Sequence, residues 1–328
     1  LRARLGEAGL RAPLELARVH ASSDGTHKLL LKLHDERQIE SVLIPRGSPA
    51  AEGPYEPDQE AEAGEAREGA LPPVTQCVSA QVGCAMGCVF CASGIAGLKR
   101  NLSAGEIIGQ ALAGRAQLAG RARLAGVVLM GMGEPLHNYD AVARALRLLN
   151  HEEGIAMSLR RVTLSTSGLV EGIERLGRDF RGQVGLAISL HATNDDTRSA
   201  IMPINRRHPL GELLPALRRY PLPPTRRITV EYTLLAGIND SAADARELIA
   251  CLRGLRVKVN LIPMNPVEGT QLHAPEPAVV DAFQRVLEAQ GVPVFVRRRR
   301  GDDIAAACGQ LALLGERAKV RNAFRVVS

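Results

Sequence analysis

Apolar residues along this chain fall into short runs of strand length, separated by longer segments in which they recur at helical spacing. The stretches "KLLLKLH" (28–34) and "IESVLIP" (39–45) flank the polar "DERQ" and predict a β-hairpin. From Val74 onward, β-branched runs recur at 75–82, 126–130, 161–165, 184–190, 228–234, 257–262 and 292–296. Amphipathic segments such as "AGEIIGQALAGRAQLA", "DAVARALRLLN" and "ARELIACLRGL" lie between them. This alternation predicts an α/β protein with a mostly parallel sheet and right-handed crossovers. About six such units fit a partial (βα)6 TIM-like barrel. A doubly wound open sheet is the alternative; against it, no G-x-G-x-x-G follows the first strand.

The pattern divides the chain into four segments. Residues 1–46 form an N-terminal accessory region with the β-hairpin, and residues 47–73 an acidic insertion, rich in Pro, Gly, Ala and Glu, that is expected to be disordered. Residues 74–300 form the barrel, and 301–328 a C-terminal segment that carries a cysteine. No apolar run reaches the length of a membrane span and no signal-peptide pattern opens the chain, so a soluble cytoplasmic protein with no membrane partner is expected.

The net charge of +6 hides a segregation of signs. Residues 51–69 are acidic, whereas basic residues cluster at Lys99-Arg100, Arg160-Arg161, Arg206-Arg207, Arg218-Arg219, Arg226-Arg227 and Arg297 to Arg300. A basic body suits a polyanion such as RNA, although a solvated Arg-rich surface would look the same. With 3% aromatic residues and no Trp, a base-stacking platform is not expected.

Chemistry gathers just past the predicted strands. Cys84, Cys88 and Cys91 follow the first, "GMGEP" (131–135) the second, "STSG" (165–168) the third, "SLHATND" (189–195) the fourth and "PMNP" (263–266) the sixth. In barrel enzymes the C-terminal strand ends form the active face. Turn chemistry explains some Gly, Pro, Ser and Asn there, but not a cysteine triad, a Glu, a His and an amide in succession. The triad is spaced C-x3-C-x2-C, and clustered thiols in a reducing compartment bind metal or do redox chemistry. Thiolates select zinc, copper(I) or iron–sulfur clusters. Structural zinc wants four closed ligands, whereas three thiolates on a [4Fe–4S] cluster leave one iron open. Cys77 is poorly placed to supply a fourth ligand, because it falls within the predicted strand 75–82.

The motifs "CVSAQVGCAMGCVFCASG", "MGMGEP", "RRVTLSTSG", "AISLHATNDDTRSAIMPIN", "LIPMNP" and "RGDDIAAACGQL" together resemble the radical S-adenosylmethionine (SAM) RNA adenine methyltransferases of the RlmN/Cfr family, from Ser22 to Leu313. The resemblance implies a barrel of the radical SAM type with one [4Fe–4S] cluster on Cys84, Cys88 and Cys91. It implies that Gly133 and Glu134 meet the methionine end of SAM, and that Ser165, Ser189, Leu190, His191 and Asn265 line the rest of its site. A carboxylate suits an ammonium, and Ser, His and Asn suit ribose and adenine edges. Singly, Ser165 could cap a helix, His191 could be a satisfied core histidine, and Asn265 could make a turn before Pro266.

The same resemblance makes Cys308 a methyl carrier, with one SAM as methyl source and a second as radical source. It makes Cys77 the thiol that releases the RNA by forming a disulfide with Cys308, and Glu40 the proton acceptor. Without it, the two cysteines read as core filling and Glu40 as an ordinary strand glutamate. It implies 23S rRNA and tRNA as partners, an electron donor such as flavodoxin or ferredoxin, a monomer, and a helical RNA-holding domain of which this chain has only part. The product is methylation at adenine C2, which "RGDDI" resembles more, or at C8. A non-catalytic zinc- or RNA-binding protein is the reading from another class.

Overall fold

The computed structural model describes residues 13–46, 70–297 and 299–311; most of the expected acidic insertion and the end of the C-terminal segment lie outside these residues. Burial follows the apolar runs. Strands β1 (Leu14–Ala21), β2 (His27–Leu33) and β3 (Gln38–Pro45) form an antiparallel meander. The hairpin β2–β3 is the expected one, and β1 is an addition to it. "LELARVHA" is exposed or half-exposed throughout and therefore has no buried side to leave a strand pattern in the sequence.

Strand β3 pairs antiparallel with β4 (Pro73–Cys77), so the meander and the barrel strands share one sheet. The predicted strand 75–82 is corrected here. β4 stops at Cys77, and Gln81–Val82 (β5) instead pairs with Arg100–Asn101 (β6) in a separate two-stranded ribbon. That ribbon brackets the cysteine loop and the short helix α1 (Ala92–Ala96). The chain continues through α2 (Ala104–Leu118), β7 (Arg123–Leu129), α3 (Tyr139–Asn150), β8 (Val162–Thr166), α4 (Val170–Phe180) and β9 (Gly185–Ser189). Helices α5 (Asp195–Ile201) and α6 (Leu210–Arg219) precede β10 (Ile228–Leu234), α7 (Ala242–Leu252), β11 (Val257–Pro263), α8 (Pro277–Glu288) and β12 (Val294–Val296).

The ten-stranded sheet runs in the order β1-β2-β3-β4-β7-β8-β9-β10-β11-β12. From β4 to β12 every neighbouring pair is parallel. A doubly wound sheet reverses its order at a switch point; this one never does, and its path is that of a partial barrel. Strand ends far apart in that order line one cavity, among them Leu129, Ser165, Ser189, Thr233, Ile262 and Arg297, so the sheet curls. Every residue of β10 is buried, as in a strand covered on both faces. Val230, Tyr232 and Leu234 are at most 1% exposed, each contributing about 1.5–3 kcal/mol by burial. Among the described residues no helix is long and apolar enough to cross a membrane.

Helix α2 starts on a capping box, in which Ser103 Oγ accepts from the Glu106 N–H and Glu106 accepts from the Ser103 N–H. Glu106 also receives both Nη atoms of Arg100, whose Nε donates to Asp35 in the β2–β3 turn. This chain of contacts ties the ribbon behind the cysteine loop to the meander.

Candidate active site

The cysteine loop leaves β5 and packs against α1. A Cβ on Gly94 would lie 2.8 Å from the Cys88 carbonyl oxygen, so only glycine lets the helix rest on the loop. The Val89 N–H donates to the Ile201 carbonyl at the end of α5, and the Ala92 N–H to that of Gly309. Ser93 Oγ donates to the Leu311 carbonyl. The C-terminal segment is thereby docked on the loop.

Cys84, Cys88 and Cys91 line one cavity of about 920 Å³, open mouth included. Burial pushes all three thiols up, Cys84 to about 12, against N–H donation from Met86 to Cys84 and from Gly94 and Ser93 to Cys91. Sulfurs so placed ionise when a bound cation supplies the missing charge. Among the described residues no three His, Cys, Asp or Glu converge on a single-ion site.

Gly133, Glu134, Ser165, Ser189, His191 and Asn265 line the same cavity. Both Glu134 oxygens are held, Oε2 accepting from the Ser167 N–H (2.7 Å) and Oε1 from the Leu136 N–H (3.0 Å). Burial still pushes its pKa up, with these donors opposing. Gly133 has φ +97°, and a Cβ there would meet Gln81 Cβ at 2.4 Å, so it is glycine for packing. His191 also sits in the left-handed region at φ +57°. Its Nδ1 accepts from the Thr233 N–H (2.8 Å), which leaves the proton on Nε2, and its ring meets Phe90 edge-on at 4.9 Å. Burial first, then the Arg198 charge, lowers its pKa to about 3, so the imidazole is neutral. Asn265 Nδ2 donates to the Cys308 carbonyl, while Oδ1 is buried without a partner.

Leu190 stands apart from the others. Its side chain belongs to the hydrophobic core, and its carbonyl accepts from Arg198 Nε. Leu190 thus packs into the core, whereas Ser189 and His191 on either side of it line the cavity.

Cys308 lines this cavity and also a second one of about 370 Å³, which holds Cys77. Both cysteines are free thiols. Glu40 lies in neither lining; it is 3% exposed and paired with Lys28 Nζ at 2.9 Å. Lys28 Nζ also donates to the Ala305 carbonyl, three residues before Cys308. The β1–β2 turn grips the same segment. Asp24 accepts from the Gly301 N–H (3.0 Å), and Asp303 accepts from Ser22 Oγ (2.5 Å) and the Ser23 N–H (3.2 Å).

Residues 78–249 match the Radical SAM superfamily. The chain is 60% identical to the dual-specificity RNA methyltransferase RlmN of Sorangium cellulosum, across 99% of this chain and 86% of the relative. The chain belongs to the RlmN family of radical SAM proteins. The RlmN of Syntrophobacter fumaroxidans is 46% identical over 91% of this chain and 80% of its own length. A solved radical SAM methyltransferase from Sphaerobacter thermophilus is also 46% identical, with a TM-score of 0.81 over 94% of this chain and 84% of its own.

RlmN family members use a [4Fe–4S] cluster and SAM, and the residues present fit both. Three thiols share the cavity with a buried carboxylate, a neutral imidazole that donates, and the partnerless Asn265 Oδ1. When bound, the two groups together supply the one-electron chemistry that an unactivated aromatic carbon requires.

Two residues that line this cavity, Glu231 and Arg297, and one that supports it from behind, Arg198, were not among the expected ones. Glu231 carried a signal, a lone charge inside the apolar strand "ITVEYTL". Arg198 looks like an ordinary helix cation, yet it is fully buried and donates to the Leu190, Ser189 and Ser167 carbonyls and to Asn205 Oδ1. Arg297 is masked by the three arginines that follow it.

Proposed function

We propose that this chain is a radical SAM RNA methyltransferase that places a methyl group on C2 of adenine in 23S rRNA and in tRNA, using Cys308 as carrier. What supports the reading is the position of Cys308, in the wall common to the cavity of the cysteine triad and the cavity of Cys77. A methyl carrier has to face its source on one side and the thiol that frees its cargo on the other.

The chain's own groups then divide the work. Cys84, Cys88 and Cys91 hold the cluster. Glu134 receives the ammonium of SAM, and Ser165, Ser189, His191 Nε2–H and Asn265 Oδ1 orient its ribose and adenine. Asn265 binds the Cys308 carbonyl through its other amide atom, so cofactor and carrier report to one side chain. Glu40 takes the ring proton, with Lys28 bridging it to the carrier segment. Cys77 displaces the methylated base from Cys308. The thiol pair needs a reducing compartment, which fits the cytoplasm, and a small redox protein such as flavodoxin or ferredoxin as electron source. We read residues 74–300 as the catalytic barrel, 301–328 as the carrier segment and the enzyme as a monomer.

The test is nucleoside mass spectrometry of 23S rRNA and tRNA treated with anaerobically loaded enzyme, SAM and reductant. 2-Methyladenosine is the expected product in both RNAs; 8-methyladenosine alone, or no methylated adenosine, overturns the reading.

A further inference from the structure

The smaller cavity is a poor place to make an anion. Its walls are mainly aliphatic, with Val42, Ile44 and Val128 among them, and burial pushes the Cys77 thiol up to about 12. Yet release of the product asks for a thiolate there. In that step the Cys77 sulfur attacks the Cys308 sulfur, and the bond from that sulfur to the methylene carbon on the base breaks. Its electron pair stays with the carbon, which gains a proton and becomes a methyl group. The Cys77 thiolate sulfur and the Cys308 thioether sulfur are oxidised to a disulfide as the methylene carbon is reduced, so electrons balance within the adduct.

One charged residue lines this cavity among the described ones, and it is Arg297. It follows β12 directly, its N–H donating to the Leu261 carbonyl on β11 (2.8 Å), and its side chain also lines the larger cavity. Glu231 holds it from β10, with Oε2 3.5 Å from Nη1, while Asn260 Nδ2 secures the other carboxylate oxygen at 3.0 Å. A guanidinium keeps its charge at any pH at which the enzyme works.

We propose that Arg297, held by Glu231, is the positioning residue that supplies the counter-charge for the Cys77 thiolate during release from Cys308. The inference rests on the carrier and release roles given above to Cys308 and Cys77. The groups acting on Cys77 agree with it. After burial, Cys308 on the C-terminal segment raises its pKa, whereas Arg297 beyond β12 and the Met130 N–H beyond β7 lower it.

The experiment follows the RNA–protein adduct through Cys308 on denaturing gels, with loaded holoenzymes, SAM, reductant and an RNA substrate, from about pH 7 to about pH 9. Arg297→Gln is expected to accumulate adduct near neutrality and to clear it about tenfold faster for each pH unit, as the thiolate fraction rises. Arg297→Lys, which keeps the charge, is expected to clear it at a rate between those of Arg297→Gln and the wild type. Cys77→Ala retains adduct at every pH. Wild-type clearance by Arg297→Gln at neutral pH, or a persistent adduct that ignores pH, overturns the inference. Should Arg297→Gln fail to fold or to load, the Arg297→Lys profile decides: a shift to higher pH supports the inference and an unshifted profile overturns it. Absence of adduct in Cys77→Ala would bring down the underlying reading of Cys77, and this inference with it.

Discussion

Two sulfur sites meet at Cys308, and they treat the same element in opposite ways. In the larger cavity three thiols sit among two carboxylates, hydroxyls, an imidazole, an amide and Arg297, and N–H groups of their own loop point at the sulfurs. In the smaller one a thiol sits among aliphatic side chains with one guanidinium. Burial pushes Cys84 and Cys77 alike to about 12. Arg297 lines both; the first brings three thiols together as the set that would hold an exogenous cluster, whereas in the second Arg297 is the one charged lining residue among those described. A thiol's reactivity is therefore not read from its burial but from what stands ready to neutralise it.

The largest expected effect breaks the first site alone. Cys88→Ala should reduce the iron content of anaerobically purified protein to background and abolish methylation, with the circular dichroism spectrum unchanged. Cys77→Ala breaks the second: iron and SAM binding stay, methylated Cys308 still forms, and intact-mass analysis finds RNA attached to it.

Arg198→Met tests the scaffold of the first site. It strands the carbonyls of Leu190, Ser189 and Ser167, and should cost on the order of 3 kcal/mol in urea denaturation while the pH profile of adduct release stays put. A smaller effect comes from His191. The unfolded chain takes up its proton near 6.5 and the folded chain only near 3, so its contribution is full above 6.5 and is lost as pH falls toward 3. His191→Gln should flatten that decline, seen in denaturation midpoints at about pH 5 and about pH 7.

The smallest effect is local. Burial opposes ionisation of Asp24, but hydrogen bonds from the Gly301 N–H, then Thr26 and Ser22, hold its pKa down to about 2. The grip on Gly301 should persist above about pH 4 and fail as pH falls through 2, and Asp24→Ala should release it at every pH. Hydrogen exchange of the Gly301 amide reports both.

The barrel, the cysteine loop and the polar strand ends were legible because each has a local cause: β-branched runs, tight thiol spacing, or polar residues where a strand stops. What escaped depends on packing between distant segments. Strand β1 buries no face, so no alternation marks it. β4 ends at Cys77 although "CVSAQV" has no Gly or Pro to announce the bend, and this puts Cys77 at the active end of the sheet and not in mid-strand. Glu40 reads as a surface strand residue until Lys28, two strand positions before its partner Leu30, is seen to neutralise it. Arg198 and Arg297 carry charges that the sequence offers to solvent and the fold encloses.

The grip of the β1–β2 turn on the carrier loop joins residues 281 positions apart, Ser22 and Asp303. Translation makes the receiving turn long before the loop that it receives. A nascent chain can close its barrel strand by strand as it emerges, but that final clasp waits until almost all of the described polypeptide exists. The segment that carries Cys308 therefore docks onto a turn and a sheet whose residues were all made before it.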